Sequence, residues 1–384
     1  MYRALALCLC TAAIAAAGEL PRGQVLDRVV AQGDASQSYA LYLPSNYVPT
    51  RQWPVLYCLD PGARGRVPVE RFSQAAEKAG FLVVGSNNSQ NGPAGPVKEA
   101  LQWMLSDTHE RLAIDDSRLF VAGFSGGARL ALSWASNGAI AGVIACGAGF
   151  GGGRVPKDIP FKLFMTAGVD DFNYDEPYRT SVELAHRSVP HRFVEFTGGH
   201  EWLPANLTGD ALAFLQGRLE PLAAKPSQEQ ERLAERYERL AALALSADGR
   251  PTVEQMRKEA AYSTDSPERR IARRVMMVTY VAQVETGREL MRNHQYKDAA
   301  ELYENAVMVQ PENGGAWYSL AVAQAGAGKT PRALEALETA AARGFHDARR
   351  MEEEPLLKPV QAEDRYKAVL RKINASLPGG VEHP

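Results

Sequence analysis

Arg118-Leu-Phe-Val-Ala-Gly123-Phe-Ser125-Gly-Gly127-Ala-Arg-Leu-Ala-Leu-Ser-Trp134 reads as an apolar strand, a tight turn and a helix. A serine between two glycines at the junction of a strand and a helix is the context of a nucleophile elbow. Such a turn forces the serine into a strained backbone conformation. The residues two before and two after it must then lack side chains that would collide with the neighbouring strand and helix, and Gly123 and Gly127 meet that demand. Gly126, directly after the serine, lets a backbone N–H face a carbonyl under attack. The five letters also fit an ordinary glycine turn with Ser125 as a helix N-cap, so the rest of the chain decides.

Outward from this turn, apolar runs alternate with helical stretches. Val25–Val30 and Ser38–Leu43 read as two antiparallel strands. Pro54–Leu59, Phe81–Gly85, Ile140–Ala145, Phe161–Ala167 and Arg192–Phe196 read as further strands, with helices over Phe72–Gly80 and Val97–Leu112. This alternation predicts an α/β class domain: a mainly parallel sheet covered on both faces, with its site at the carboxyl ends of the strands. Two of those ends carry what a serine needs. After Ala167 comes Gly168-Val-Asp-Asp171-Phe-Asn-Tyr174, and after Phe196 comes Thr197-Gly-Gly-His200-Glu-Trp202. A serine hydroxyl needs an imidazole to take its proton, and the imidazole needs a carboxylate to hold its tautomer. Of the seven histidines, His200 is the one in a glycine-flanked loop just past a strand.

The order Ser, Asp, His is that of the α/β-hydrolases. Gly-Phe-Ser-Gly-Gly, Gly-Val-Asp-Asp and Gly-Gly-His, together with Leu41-Tyr-Leu-Pro-Ser-Asn-Tyr47, make residues 25–218 resemble the compact esterases of that fold. That group includes relatives of feruloyl esterases, polyhydroxybutyrate depolymerases and dienelactone hydrolases. The resemblance implies Ser125 as nucleophile, His200 as base and Asp171 as acid, since Gly168 to Asp171 has the usual spacing. Asp170 is then expected to cap the following turn. One departure concerns the oxyanion: Asp60-Pro61-Gly62 replaces the usual His-Gly, and Pro61 has no N–H. The first donor must come from Gly62, Ala63 or Arg64, with Ala63 the expected one and Gly126 the second. Ser125 to Asp171 leaves no room for a helical cap, so the site is expected to be open on that side. Asn87, Asn88, Phe124, Phe172, Tyr174 and Trp202 are the candidate walls.

At 384 residues two domains are expected, and the net charge of −2 gives no pull toward nucleic acid or anionic membranes. Residues 1–18 place one cation before a short apolar run ending in small residues, which reads as a secretory signal peptide and predicts a secreted or periplasmic protein. With Cys8 and Cys10 inside that segment, Cys58 and Cys146 remain. Both lie in strand-like runs separated by another strand, where no disulfide is expected. Neither has metal-ligand spacing, and the reading calls for no metal or cofactor.

Past Pro221 the composition turns to Glu, Arg, Ala and Leu. Ser227–Leu245 reads as one long helix, followed by helices over Val253–Tyr262 and from Pro267 onward. Ala299 and Ala333, Ala306 and Ala340, Tyr303 and Leu337, and Gly287 and Ala321 stand 34 residues apart. This resembles the tetratricopeptide repeat, with Trp317 and Leu320 at motif positions and Pro311 closing the first unit. A third, degenerate unit over Glu354–Ile373 is expected to cap the stack. The predicted organisation is a hydrolase domain over 19–218, a helical linker or divergent repeat over 219–284, and repeats over 285–384. A small or polymeric ester is the expected substrate, and the repeats are expected to meet a protein partner. A serine peptidase on the same fold and an inactive scaffold are the alternatives. The helices after Pro221 are expected to form a separable arm, leaving a chain ended near Arg218 active; the contrary reading is that Ser227–Tyr262 folds back over the site as a lid.

Overall fold

The computed structural model describes residues 20–375 except 152–153, 223–226, 247 and 263. The expected signal peptide therefore lies outside the described residues. The chain divides into two compact units: one runs to Val143 and takes in Pro204–Leu219, and the other comprises Ile144–Leu203 and the chain from Glu220.

The strands are β1 (Val25–Ala31), β2 (Asp34–Tyr42), β3 (Trp53–Leu59), β4 (Leu82–Ser86), β5 (Ile114–Phe124), β6 (Gly142–Cys146), β7 (Lys162–Gly168) and β8 (His191–Phe196). They form one sheet in the order β1-β2-β4-β3-β5-β6-β7-β8. The first hairpin pairs antiparallel and β2 pairs antiparallel with β4, while β3 with β4, β3 with β5, and β7 with β8 are parallel. This is the mostly parallel sheet of an α/β-hydrolase. Every residue of β3 is buried, as a run of apolar side chains with no polar alternation requires of a central strand. Cys58 and Cys146 are buried thiols on β3 and β6, with β5 between those strands.

In the first unit α1 (Arg66–Ala79) ends on Gly80, whose φ of 71° is the left-handed stop a glycine supplies. It is followed by α2 (Ala94–Arg111) and α3 (Gly126–Asn137), and α5 (Ala205–Leu215) returns to pack on α1. The second unit contains α4 (Asp175–His186) and then an all-helical run: α6 (Gln228–Leu245), α7 (Arg250–Ala260), α8 (Pro267–Arg292), α9 (Tyr296–Val309), α10 (Gly314–Gly326) and α11 (Thr330–Ala342). Ser227 starts α6 with a reciprocal capping box to Gln230. The 34-residue pattern falls on the helix contacts: Ala299, Ala306, Ala321, Ala333, Leu337 and Ala340 are wholly buried. A Cβ at Gly287 would come within 2.9 Å of the Tyr303 ring, so the small residue makes room for the large one. The indole of Trp317 donates to Pro311 O at 2.8 Å. Where a degenerate repeat was expected, the chain forms α12 (Ala348–Glu353), a 3-10 turn over Pro355–Val360 and α13 (Asp364–Ala375).

Candidate active site

In the first unit β5 delivers Ser125 at φ 53° and ψ −121°, a region that a side chain occupies only under constraint. The constraint comes from close packing on both sides of the turn. A Cβ at Gly123 would overlap Gly127 O, and one at Gly127 would overlap Leu59 O on β3. Ser125 is the N-cap residue of α3, yet its side chain makes no capping hydrogen bond. Its conformation is thus not explained by helix capping, and the plain glycine-turn alternative fails on that point. Gly126 opens α3, where backbone N–H groups have no partner within the helix and the helix dipole favours negative charge. The Asn91 carboxamide packs against Gly126 so closely that a Cβ there would collide with it.

The loop after β3 is organised by Asp60, which is buried. Asp60 Oδ1 accepts from Gly62 N at 2.9 Å and Arg64 Nε at 2.8 Å, Oδ2 accepts from Arg64 Nη2 at 3.0 Å, and Asp60 O accepts from Ala63 N at 3.1 Å. Ala63, the expected oxyanion donor, is thereby turned into its own loop with φ 56°. Of the three residues that sequence reading offered, Arg64 alone keeps a backbone N–H with no such bond among the described residues. Asn91 N donates to Pro61 O at 2.9 Å and Gln90 bridges to Gly62, tying the two loops together.

In the second unit the loops after β7 and β8 are joined through their backbones: Val169 N donates to Phe196 O at 2.9 Å and Asp170 N to Gly198 O at 3.0 Å. This brings Asp171 to His200, with Nδ1 2.8 Å from Asp171 Oδ1. Asp171 is fully buried, and its Oδ2 has no hydrogen-bond partner among the described residues. A buried carboxylate facing one ring nitrogen fixes the tautomer: Nδ1 carries the proton and Nε2 is left as the base. The Phe172 ring packs on the imidazole with centroids 4.2 Å apart.

The neighbouring acid differs from expectation. It is Asp171 Oδ1 that accepts from Asn173 N, at 2.7 Å, and so turns the loop, while Asp170 Oδ2 pairs with Arg273 Nη1 at 3.0 Å. The expected walls also divide. Asn87 and Asn88 are tied to the β1–β2 hairpin: Asn87 donates to Asp27 O, and Asn88 accepts from Ser38 N and donates to Ser36 O. Tyr174 is buried, with its hydroxyl on Glu195 and its ring under Arg274. Phe124 and Trp202 are buried as well. Sequence reading missed Asn91, Arg273, Arg274 and Tyr237. Only Asn91 carried a signal, its place in the polar loop at the carboxyl end of β4. Among the described residues no cluster of His, Cys, Asp and Glu could hold a metal ion, and no helix is long and apolar enough to cross a membrane.

Residues 284–348 match the tetratricopeptide repeat family. A comparison with curated proteins by sequence found no match. Among solved structures, the chain is similar to the fluorophosphonate-binding serine hydrolase F of Staphylococcus aureus, at 15% identity and a TM-score of 0.39, over 47% of this chain and 92% of that one. It is similar to the S-formylglutathione hydrolase of the same organism at 15% identity and a TM-score of 0.40, over 52% and 99% of the two chains. It is also similar to the feruloyl esterase module of Clostridium thermocellum at 13% identity and a TM-score of 0.41, over 52% and 90%. The chain carries an eight-stranded sheet of α/β-hydrolase strand order and helices of which residues 284–348 match the tetratricopeptide repeat family.

Proposed function

We propose that the protein is a serine hydrolase that cleaves carboxylic esters through a Ser125, His200, Asp171 triad. The observation that carries the reading is the bond from His200 Nδ1 to the buried Asp171, which makes Nε2 the basic nitrogen of the ring. In the proposed reaction Ser125 Oγ attacks the ester carbonyl as its proton passes to His200 Nε2. The imidazolium formed is stabilised by Asp171, and the same proton is delivered to the departing alcohol. Water then repeats the sequence on the acyl-enzyme and releases the acid. The Gly126 and Arg64 N–H groups would hold the oxyanion.

A groove beside Gly126 supports this substrate class. It has a volume of about 660 Å³ and lies between α2 and α3, walled by the half-exposed Val97, Leu101, Leu130 and Trp134. An apolar trough opening at an oxyanion donor suits the hydrocarbon part of an acyl group. The test is labelling by a fluorophosphonate, followed by hydrolysis of a p-nitrophenyl ester series of increasing acyl length. Labelling should vanish in Ser125→Ala. kcat/KM should rise with chain length, and Trp134→Ala should flatten that rise while sparing the acetate. A peptidase would be labelled equally but would also cleave a peptide amide, which the esterase would leave intact. Undiminished labelling of Ser125→Ala would overturn the triad.

A further inference from the structure

Asp171 sits in a loop closed in part by its own bonds, Asn173 N donating to Asp171 Oδ1 at 2.7 Å and Tyr174 N to Asp171 O at 3.0 Å. Its N–H groups are accounted for on the histidine side: Val169 and Asp170 donate to Phe196 O and Gly198 O, and Asp171 donates to Gly168 O at 3.0 Å. The carbonyls and the remaining charge are held from the helical side. Val169 O accepts from both Nε and Nη2 of Arg274 on α8, the Nε bond measuring 2.8 Å. Phe172 O accepts from the Tyr237 hydroxyl of α6 at 3.1 Å, and Asp170 takes Arg273 of α8. The residues on either side of Asp171 are thus gripped by α6 and α8, and Asp171 itself is touched by neither bond.

The chemistry of this grip suits orientation better than adhesion. The Arg274 guanidinium lies flat over the Tyr174 ring, 3.5 Å from its centroid, and forks onto a single carbonyl. Burial pushes its pKa down, which is the cost of drawing a cation out of water to meet a neutral acceptor. Helix packing alone would be better served by an apolar side chain there. A cavity of about 190 Å³ lies beside Tyr174, Tyr237 and Arg274.

We propose that Arg274, supported by Tyr237 and Arg273, is a positioning residue for the hydrolase: α6 and α8 hold the loop so that Asp171 meets His200. The inference rests on the triad reading given above. It gives the C-terminal helices a part in the chemistry that neither a separable arm nor a lid would have. The same α8 continues to Arg292 and so enters the repeat match that begins at residue 284.

The test uses the full-length protein and a short p-nitrophenyl ester. Arg274→Met should lower kcat about 10- to 100-fold with KM little changed, the scale of loss expected when a catalytic group is displaced by about an ångström. In the Asp171→Asn background the same substitution should cost nothing further, because the residue it positions is already disabled. Arg274→Lys, which keeps the charge and loses the fork, should fall between. Should Arg274→Met fold poorly by circular dichroism, Tyr237→Phe, which removes one hydroxyl, carries the same comparison. Equal losses in both backgrounds, or an unchanged kcat in a folded variant, would overturn the proposal. A wild-type protein that no fluorophosphonate labels would sink the triad reading itself, and the role of Arg274 with it.

Discussion

Asp170 and Asp171 are identical in chemistry and adjacent in the chain, and their surroundings set them apart. Asp171 is enclosed and bonded to His200, whereas the Asp170 carboxylate is partly exposed and paired with Arg273. Asp171→Asn should therefore lower kcat by about 10³- to 10⁴-fold, since the imidazole loses both its tautomer control and its counter-charge. Asp170→Asn breaks a partly solvated ion pair, a kind of contact worth about 1 kcal/mol or less, and should cost at most a few-fold. Rates of both variants on one ester decide it, and the opposite ranking would move the acid to Asp170. In the sequence the spacing from Gly168 favours Asp171. It could not show what Asp170 meets, because Arg273 lies 103 residues further on. Ala63 shows the same limit: Asp60 looks like a departure from a motif until its carboxylate is seen gathering Gly62 and Arg64.

Among the elements, β8 and α4 are pinned together by the histidine that opens β8. His191 is fully buried, its Nδ1–H donates to Val189 O at 2.8 Å, and its Nε2 accepts from Ser181 Oγ of α4 at 2.7 Å. Accepting from Ser181 requires the neutral ring, and burial lowers its pKa below 6.5. The folded state then binds this proton less readily than the unfolded chain does. The stability is fully present above about pH 6.5 and is lost as the pH falls from there through the lowered folded value. Urea midpoints measured from about pH 7.5 down to 5 should fall more steeply for the wild type than for His191→Gln, which keeps an acceptor and cannot ionise. Parallel pH profiles would refute the assignment. The strands themselves were legible, since β3, β4 and β7 are nearly unbroken apolar runs. The capping segment was less so: Pro355 and Pro359 divert what looked like one more repeat into a 3-10 turn.

For the whole molecule, the change of composition near Pro221 suggested a boundary; the units do part between Leu219 and Glu220, but Ile144–Leu203 belongs with the chain beyond it. The second unit draws its strands and its helices from both sides of that point, and Leu222 N still donates to His191 O at 2.9 Å. A chain ended at Arg218 would keep all three triad residues, yet lose Tyr237, Arg273 and Arg274 and expose the apolar faces they accompany. We expect it to be poorly soluble or, where soluble, to react with a fluorophosphonate at least about 10-fold more slowly than the full-length protein. Labelling at the full-length rate would restore the separable arm. Composition registers local preference, whereas this unit is assembled from segments about a hundred residues apart.

The length of chain between Asp171 and Arg274 also sets an order in time. Synthesis proceeds from the amino terminus, and folding units tend to form as they emerge. Ser125, Asp171 and His200 all precede the guanidinium that steadies the acid, with Arg274 lying 105 residues beyond the carbonyl it grips. A growing chain would thus own its nucleophile, base and acid well before it could use them at full rate. Hydrolysis would reach its full rate only once α8 is complete, and a product cut short by stalling or proteolysis before that helix would be released slow.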